Sequence, residues 1–431
     1  MQRFSSMPSR IRELRTPLLH KPTRKMTATK AQRRWIVSEL YYPEVTSTGY
    51  YITRIAETLA QDVDVNVICG QPNYAARGTR AARSEDRNGV HIRRVAALRL
   101  NKNNLLFRLL NMASLSVSVL LKELFSFRNG DSVLVVTTPP VLPFVTTIAA
   151  LSRGAGYDLL VHDVYPEQLV ATGLLKRVSA IAAVIDLGNR WVYKHARTII
   201  AVGRDIQELL EKKATGLDVP VIFIPNWADA EEVTPQPRDQ NELLKNLELT
   251  DSFVVLCAGN FGRPNDLETI VAAAERLSSD GVHFLFVGDG AKGNWLRTRT
   301  ADLKNVTVLA PVARSEQNGL LNACDVTILS LVRGMRGAAV PSRVYNYMAA
   351  GKPVIAVCEE GSEIAQLIQE NYIGAFVEPG DTDGLADVIR ALRDSPESRS
   401  TMGSNARMAA EMKYSAKTVL PQFLDALTGG K

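Results

Sequence analysis

Short unbroken runs of apolar residues recur along this chain, separated by stretches where apolar positions fall every three or four residues. The series opens with Arg34–Leu40 and Val63–Cys69 and continues through Ser132–Thr137, Leu159–Asp163, Thr198–Val202 and Val221–Ile224. Each run is short and apolar on both sides, as a strand buried between two layers is. Between the first two, Ile52, Ile55, Ala56 and Leu59 share one face of a helix predicted over Tyr51–Ala60. The alternation restarts with the run beginning at Phe253 and goes on through Phe284–Val287, Val306–Leu309, Val326–Leu329 and Val354–Val357. Strand and helix in alternation predict an α/β protein of two doubly wound, Rossmann-like parallel sheets, with ligands at the carboxyl ends of the strands. The first domain is expected over 34–230 and the second over 251–412, facing each other across a central cleft. The stretch 231–250, with Pro235 and Pro237, reads as a polar linker with a short helix, and 413–431 as a closing helix that crosses back to the first domain.

Composition changes this picture at one end only. The chain's 431 residues carry a formal charge of +6, yet residues 1–34 hold ten Lys and Arg against the single acid Glu13. The body is therefore slightly acidic, and 1–33 reads as a flexible basic extension. Its cations either touch anionic lipid or precede an internal start at Met7 or Met26. It lacks the apolar core of a signal peptide. Cys69, Cys257, Cys324 and Cys358 are scattered and form no CxxC pair; Cys69, Cys257 and Cys358 sit in apolar runs and read as core residues, and the set fits a reducing, cytosolic setting.

Leu105 to Phe127 is long enough to span a bilayer, but Arg108, Asn111, Lys122, Glu123 and three serines interrupt or flank it. It reads instead as an amphipathic helix, packed on the sheet or lying on a membrane surface. Upstream, Arg77, Arg80, Arg83, Arg87, Arg93, Arg94, Arg99 and Lys102 form either a lipid-headgroup cluster or a solvated face. On the first of these readings, region 77–127 places the protein at the inner face of the cytoplasmic membrane.

The densest chemistry lies in Val340-Pro341-Ser342-Arg343-Val344-Tyr345-Asn346. Pro341 suits the first position of a helix, where its missing N–H costs nothing. Ser342 and Arg343 would then put a hydroxyl, a cation and unspent backbone N–H groups at the positive helix end, a site for phosphate. Gly351-Lys352-Pro353 stops that helix ahead of a buried strand.

These residues bring a resemblance into view. Ala258 to Ile270, Phe286-Val287-Gly288-Asp289-Gly290, the Pro341 run, and Glu378-Pro379-Gly380-Asp381 resemble, in order and spacing, the C-terminal domain of glycosyltransferase family 4. Tyr42-Pro43-Glu44 to Gly49, Thr138-Pro139-Pro140, His162 to Glu167 and Ile224-Pro225-Asn226-Trp227 resemble its N-terminal half. The set is similar to the WbuB-like and WcaI-like bacterial enzymes that build O-antigen, capsule or colanic-acid-type polysaccharides. The resemblance covers residues 34–425 and implies the GT-B fold and a retaining, metal-independent transferase with no cofactor. Its donor would be a UDP-sugar, an N-acetylated hexosamine such as N-acetylfucosamine, and its acceptor a lipid-linked saccharide; no nucleic acid is involved. The sequence has no Asp-x-Asp motif of the kind that holds a divalent ion on a sugar-nucleotide diphosphate.

Carried onto this chain, the resemblance implies donor contacts from Gly259, Asn260, Gly262, Arg263, Gly288, Gly290, Pro311, Val312, Pro341, Ser342 and Arg343. Arg336, in the flexible-looking run Arg333–Gly337, is a further phosphate candidate. Two departures stand out: Ala338 and Asn346 occupy the places of the family's paired glutamates, and Asn346 offers a ribose an amide without charge. On the acceptor side, Glu44, Thr48 and Gly49 form one loop. Asp163, with His162 and Glu167, is the candidate to take the acceptor's proton, against a purely capping role for Asp163. His91, His195 and His283 read as structural. Other functions also fit paired Rossmann domains: a UDP-sugar 2-epimerase, or a nucleotide-sugar binder without turnover. A nicotinamide dehydrogenase is disfavoured, because Tyr41-Tyr42-Pro43-Glu44 stands where G-x-G-x-x-G would follow the first strand.

Overall fold

The computed structural model describes residues 33–429 except 45, 73–79, 99 and 101–104. The basic extension up to residue 32, Arg77, Arg99 and Lys102 therefore lie outside the described residues.

The first sheet has eight strands: β1 (Arg34–Ser38), β2 (Val65–Cys69), β3 (Ser84–Arg87), β4 (Val90–Arg94), β5 (Ser132–Val136), β6 (Gly156–Val161), β7 (Thr198–Ala201) and β8 (Val221–Phe223). Their order is β3-β4-β2-β1-β5-β6-β7-β8, parallel throughout except for the β3–β4 hairpin. Its helices are α1 (Ser47–Leu59), α2 (Leu105–Ser126), α3 (Leu142–Arg153), α4 (Glu167–Ala171), α5 (Ala180–His195) and α6 (Arg204–Lys213). The order reverses direction between β1 and β5, so the β1–α1 loop and the ends of β5 and β6 open on one crevice.

The second sheet, β9 (Phe253–Asn260), β10 (Val282–Asp289), β11 (Val306–Leu309), β12 (Val326–Ser330), β13 (Val354–Val357) and β14 (Gly374–Val377), runs in the order β11-β10-β9-β12-β13-β14, all parallel. It reverses between β9 and β12. Around it lie α7 (Glu242–Asn246), α8 (Leu267–Arg276), α9 (Gly293–Arg299), α10 (Gln317–Asn322), α11 (Arg343–Ala349), α12 (Glu363–Asn371), α13 (Thr382–Asp394) and α14 (Pro396–Met412). The last helix, α15 (Ala416–Thr428), packs Val419, Leu420, Phe423 and Leu427 into the core of the first sheet.

Three expectations are revised. The 231–250 stretch is no free linker: Val233, Leu244 and Leu249 are buried in the second domain's core, and Asn322 is bonded to Thr234 and Gln236. Within the basic run before α2, Arg80 and Arg83 are exposed, but Arg87, Arg93 and Arg94 are engaged in the fold. Arg94 is buried on the carbonyls of Ala82 and Tyr42 and on Glu85, Arg93 lies over Trp35, and Arg87 pairs with Glu57 against Tyr42. Third, α1 begins at Ser47, capped by Thr46, so Thr48 and Gly49 sit in its first turn.

α2 is long and apolar enough to cross a membrane, yet one side of it belongs to the protein. Leu115 and Val119 join the core, and Glu123, fully buried, accepts a hydrogen bond from Thr146 of α3 at 2.5 Å. Burial pushes the Glu123 carboxyl up to about 8, with the Thr146 bond opposing. A folded-state pKa above the unfolded one means stability is complete at low pH and declines as pH rises from about 4 through 8. Glu123→Gln is therefore expected to match the parent at pH 5 and to exceed it by about 3–5 kcal/mol at pH 9. Denaturant unfolding at both pH values checks this, and a pH-independent difference would contradict it.

Candidate active site

The second sheet contributes a cradle at the ends of β9 and β10. Gly259 (φ +123°) pairs with Gly288, and a Cβ on Gly288 would lie 1.8 Å from the Gly259 carbonyl oxygen, so the two strand ends require glycine to close together. The loop beyond is laced to β10: Phe261 N–H donates to Asp289 O, and Lys292 N–H to Phe261 O. Asn265 Nδ2 donates to Asn260 O at 2.5 Å. The guanidinium of Arg343 crosses this cradle, donating to Ala258 O (2.8 Å) and Asn260 O (3.2 Å). Any side chain at Gly259 would strike it, since a Cβ there would come within 2.9 Å of Arg343 Cζ. Arg263 extends from the same turn, exposed and without an ion pair.

Helix α11 starts at Arg343 rather than at Pro341. Ser342 is its cap residue without a capping side-chain bond, and the Val344 N–H is spent on the Pro341 carbonyl. The unspent amides are thus fewer than the sequence implied, and Arg343 itself is the main positive group. Pro311 and Val312 lie exposed after β11, and Gly290 closes against the Phe261 backbone. The run Arg333–Gly337 is tied down: the Gly334 and Arg336 N–H groups donate to Glu359 Oε2, and the Arg336 side chain reaches Glu208 of the first domain.

Opposite stands the end of β6. Thr137 Oγ1 accepts the N–H groups of both His162 and Asp163, which fixes the backbone there. Asp163 accepts from Gln168 Nε2 at 2.9 Å and from Thr138 Oγ1 at 3.4 Å. Burial pushes its carboxyl up to about 6, with both hydrogen bonds pulling the other way. Burial pushes His162 down to about 4, leaving a neutral ring whose Nε2 has no partner. Glu167 faces away and pairs with Lys213 of α6. Glu44 is buried, and Gly49 lies so close to its carbonyl that a Cβ would come within 2.6 Å.

The two halves touch at this place. Asp163 bridges Ala339, and the Val164 N–H donates to Ala338 O at 2.8 Å. Ala338 thus contributes backbone to a seam between domains. Beside it Asp205 accepts the Gly337 N–H, and Arg204 grips Glu363 through its backbone N–H and its guanidinium. Asn346 Oδ1 accepts the N–H of Asp229, whose carboxylate pairs with Arg314, and that guanidinium stacks on Tyr50 of α1. Sequence reasoning missed Thr137, Gln168, Asp229 and Arg314. Gln168 sits one turn past Asp163 and could have been noticed; Arg314 and Asp229 meet only in three dimensions.

Two Asp-x-Asp triplets do occur in the chain. Asp62–Asp64 precedes β2, at the end of the sheet away from the crevice, and Asp381–Asp383 caps α13 and pairs with Arg276. Among the described residues, the three histidines outside the site are bound locally, to Asp86 (His91), Trp191 O (His195) and Thr307 (His283).

A family model described as "Glycosyl transferase 4-like domain" matches residues 47–227, and one described as "Glycosyl transferases group 1" matches residues 252–395. The chain is 32% identical to "Probable glycosyltransferase WbjE" of Pseudomonas aeruginosa, over 91% of this chain and 96% of that one. It is 26% identical to "Putative colanic acid biosynthesis glycosyl transferase WcaI" of Escherichia coli K12, over 90% and 98%. Among solved structures, Anabaena HepE in complex with UDP and glucose superposes with a TM-score of 0.68 at 17% identity, over 92% of this chain and 100% of that one.

Proposed function

Since the chain belongs to the group 1 glycosyltransferases and is a polysaccharide-building enzyme of GT-B fold, we propose that it is a retaining, metal-independent transferase using a UDP-sugar. The sugar is an N-acetylated hexosamine, N-acetylfucosamine being one candidate, and the acceptor a lipid-linked saccharide at the inner face of the cytoplasmic membrane. One observation carries this reading. A cationic, glycine-lined cradle (Arg343 over Gly259) and a carboxylate held near neutrality (Asp163) belong to opposite domains that touch beside them. UDP as the nucleotude carrier is supported by the binding of UDP in HepE.

On this reading the acceptor hydroxyl attacks the anomeric carbon on the same face from which the diphosphate departs, which retains configuration, and its proton passes to Asp163. The sugar–phosphate bond breaks, and the electron pair leaves on the diphosphate toward Arg343, Arg263 and the nearby backbone N–H groups. Such fixed charges cost little reorganisation when the leaving group's charge develops. Asn346 presents its Nδ2 to the ribose while its Oδ1 holds Asp229. Ser342, Pro341, Gly262, Gly288 and Gly290 shape the wall, and Pro311 with Val312 flanks the base.

Thermal melting with UDP, UDP-N-acetylhexosamines, GDP and NAD in parallel tests the donor. A ligand at a hundredfold excess over its Kd is expected to add about 2.7 kcal/mol, and only the uridine ligands should do so. Stabilisation by GDP alone would replace the donor class, and by NAD alone would overturn the reading.

A further inference from the structure

The helices α2, α3 and α5 lie side by side on one face of the first sheet, α2 joined to α3 through Glu123 and Thr146, and α3 to α5 where Phe144 covers Gly188. Their outer surface is unusually apolar. On α2, Val117, Leu121 and Phe125 recur every fourth residue, opposite the buried Leu115, Val119 and Glu123, and Phe125 is 86% exposed. On α5, Ile181, Val184 and Leu187 are each more than 60% exposed, and α3, which touches both helices, leaves Ile148 and Leu151 exposed. Exposed apolar side chains are ordinary singly but not as contiguous rows on three neighbouring helices.

The exposed charges of these three helices and their connections are mostly cationic. Arg108, Arg128, Lys176, Arg177 and Lys194 are exposed. From Leu105 to His195 the one exposed acidic residue is Asp186, whose carboxylate is paired with Lys213. An apolar surface fringed by cations is complementary to a bilayer with anionic headgroups, where rings and aliphatic chains enter the acyl boundary and Lys and Arg meet phosphate.

We propose that the outer surface of α2, α3 and α5 docks on an anionic phospholipid bilayer. The proposal deepens the reading of a lipid-linked acceptor and rests on it for its purpose, though not for its test. It also moves the contact away from the basic run before α2, whose Arg87, Arg93 and Arg94 are engaged within the fold. The chain leaves the face at the crevice: α3 starts just past Thr138, and α4 and α5 follow Asp163. A docked protein would therefore present Asp163 beside the bilayer rather than away from it.

The full chain is mixed with vesicles of phosphatidylcholine and phosphatidylglycerol in equal parts, or of phosphatidylcholine alone, and bound protein is measured by flotation. Binding is expected to the mixed vesicles and to be weaker on the neutral ones. Leu121→Glu combined with Leu187→Glu should weaken it about tenfold or more. Lys176→Glu with Arg177→Glu should weaken it about fivefold or more and remove the preference for anionic lipid. All four positions are at the surface, and unchanged melting confirms folding; the N-terminal basic stretch is identical in every variant. Binding within twofold of the parent in the Leu variant overturns the proposal. So does concentration-dependent dimerisation of the parent, seen by sedimentation, that the Leu variant abolishes while vesicle binding stays unchanged. Failure of UDP ligands to stabilise the protein would sink the donor reading and leave the vesicle result standing.

Discussion

Asp163→Asn is expected to lower kcat by about 10²–10⁴ while leaving the protein folded, the range spanned by loss of a positioned proton acceptor. The asparagine keeps the shape, its Oδ1 can accept from Gln168, and its Nδ2 can donate to the Thr138 hydroxyl, so the change chiefly removes the proton acceptor. Because burial holds the parent's carboxyl near 6, its rate should rise through pH 6 and level off above. The residual activity of the variant should lack that limb. The shift also fixes the sign of a control. A raised folded-state pKa favours the folded state below about pH 4 and loses that benefit as pH rises to 6, so the variant should melt no lower than the parent at pH 8. Steady-state rates from pH 5 to 9 decide the matter. A variant within threefold of the parent, or one that keeps the acid limb, would return Asp163 to a capping role.

Arg343→Ala is expected to cost about 10²–10³ in kcat/KM, the magnitude associated with deleting one preorganised donor facing a developing oxyanion. The guanidinium is planar, held by the Ala258 and Asn260 carbonyls, and seated where Gly259 leaves room for it. Lysine supplies the charge without the fork, so Arg343→Lys should recover only part of the loss. Removing two hydrogen bonds to carbonyls at the strand end should cost about 1–3 kcal/mol in the unliganded protein, which separates folding from chemistry. The diagnostic readout is stabilisation by UDP: it should fall in Arg343→Ala. Full activity with undiminished UDP stabilisation would show that the diphosphate lies elsewhere.

What the sequence made legible follows from burial. Strands covered on both faces, such as Val133–Val136 and Val254–Leu256, read directly as apolar runs. The hairpin β3–β4 did not, because Ser84–Arg87 is polar and half exposed and its arginines looked like a surface charge cluster. Arg94 shows why: its charge lies inside, but the groups that hold it come from two other segments, the loop after β1 (Tyr42) and the stretch around β3 (Ala82 and Glu85). β14 was missed too, being a four-residue edge strand that begins with glycine. In the site, the cradle glycines and Arg343 were legible because the demands on them are local. The contacts that bring Arg343 and Asp163 into one site were not. Arg204 and Glu363 are 159 residues apart, and the Ala338 carbonyl serves the seam through backbone alone, so no side-chain pattern announces it.

The polypeptide passes between the domains twice, after Trp227 and again before Ser415, and the two passages lie against each other. The Ala228 N–H donates to the Tyr414 carbonyl, Ala228 pairs with Ser415, and Trp227 is locked between Tyr51 and Phe423. Two adjoining pivots behave like the pins of a door. They permit a swing about the line through them and resist the sliding and twisting that a single tether would allow. Any change in the separation of the Arg343 cradle and the Asp163 carboxylate must therefore be taken up at this doubled crossing and at the Asp163–Ala339 seam.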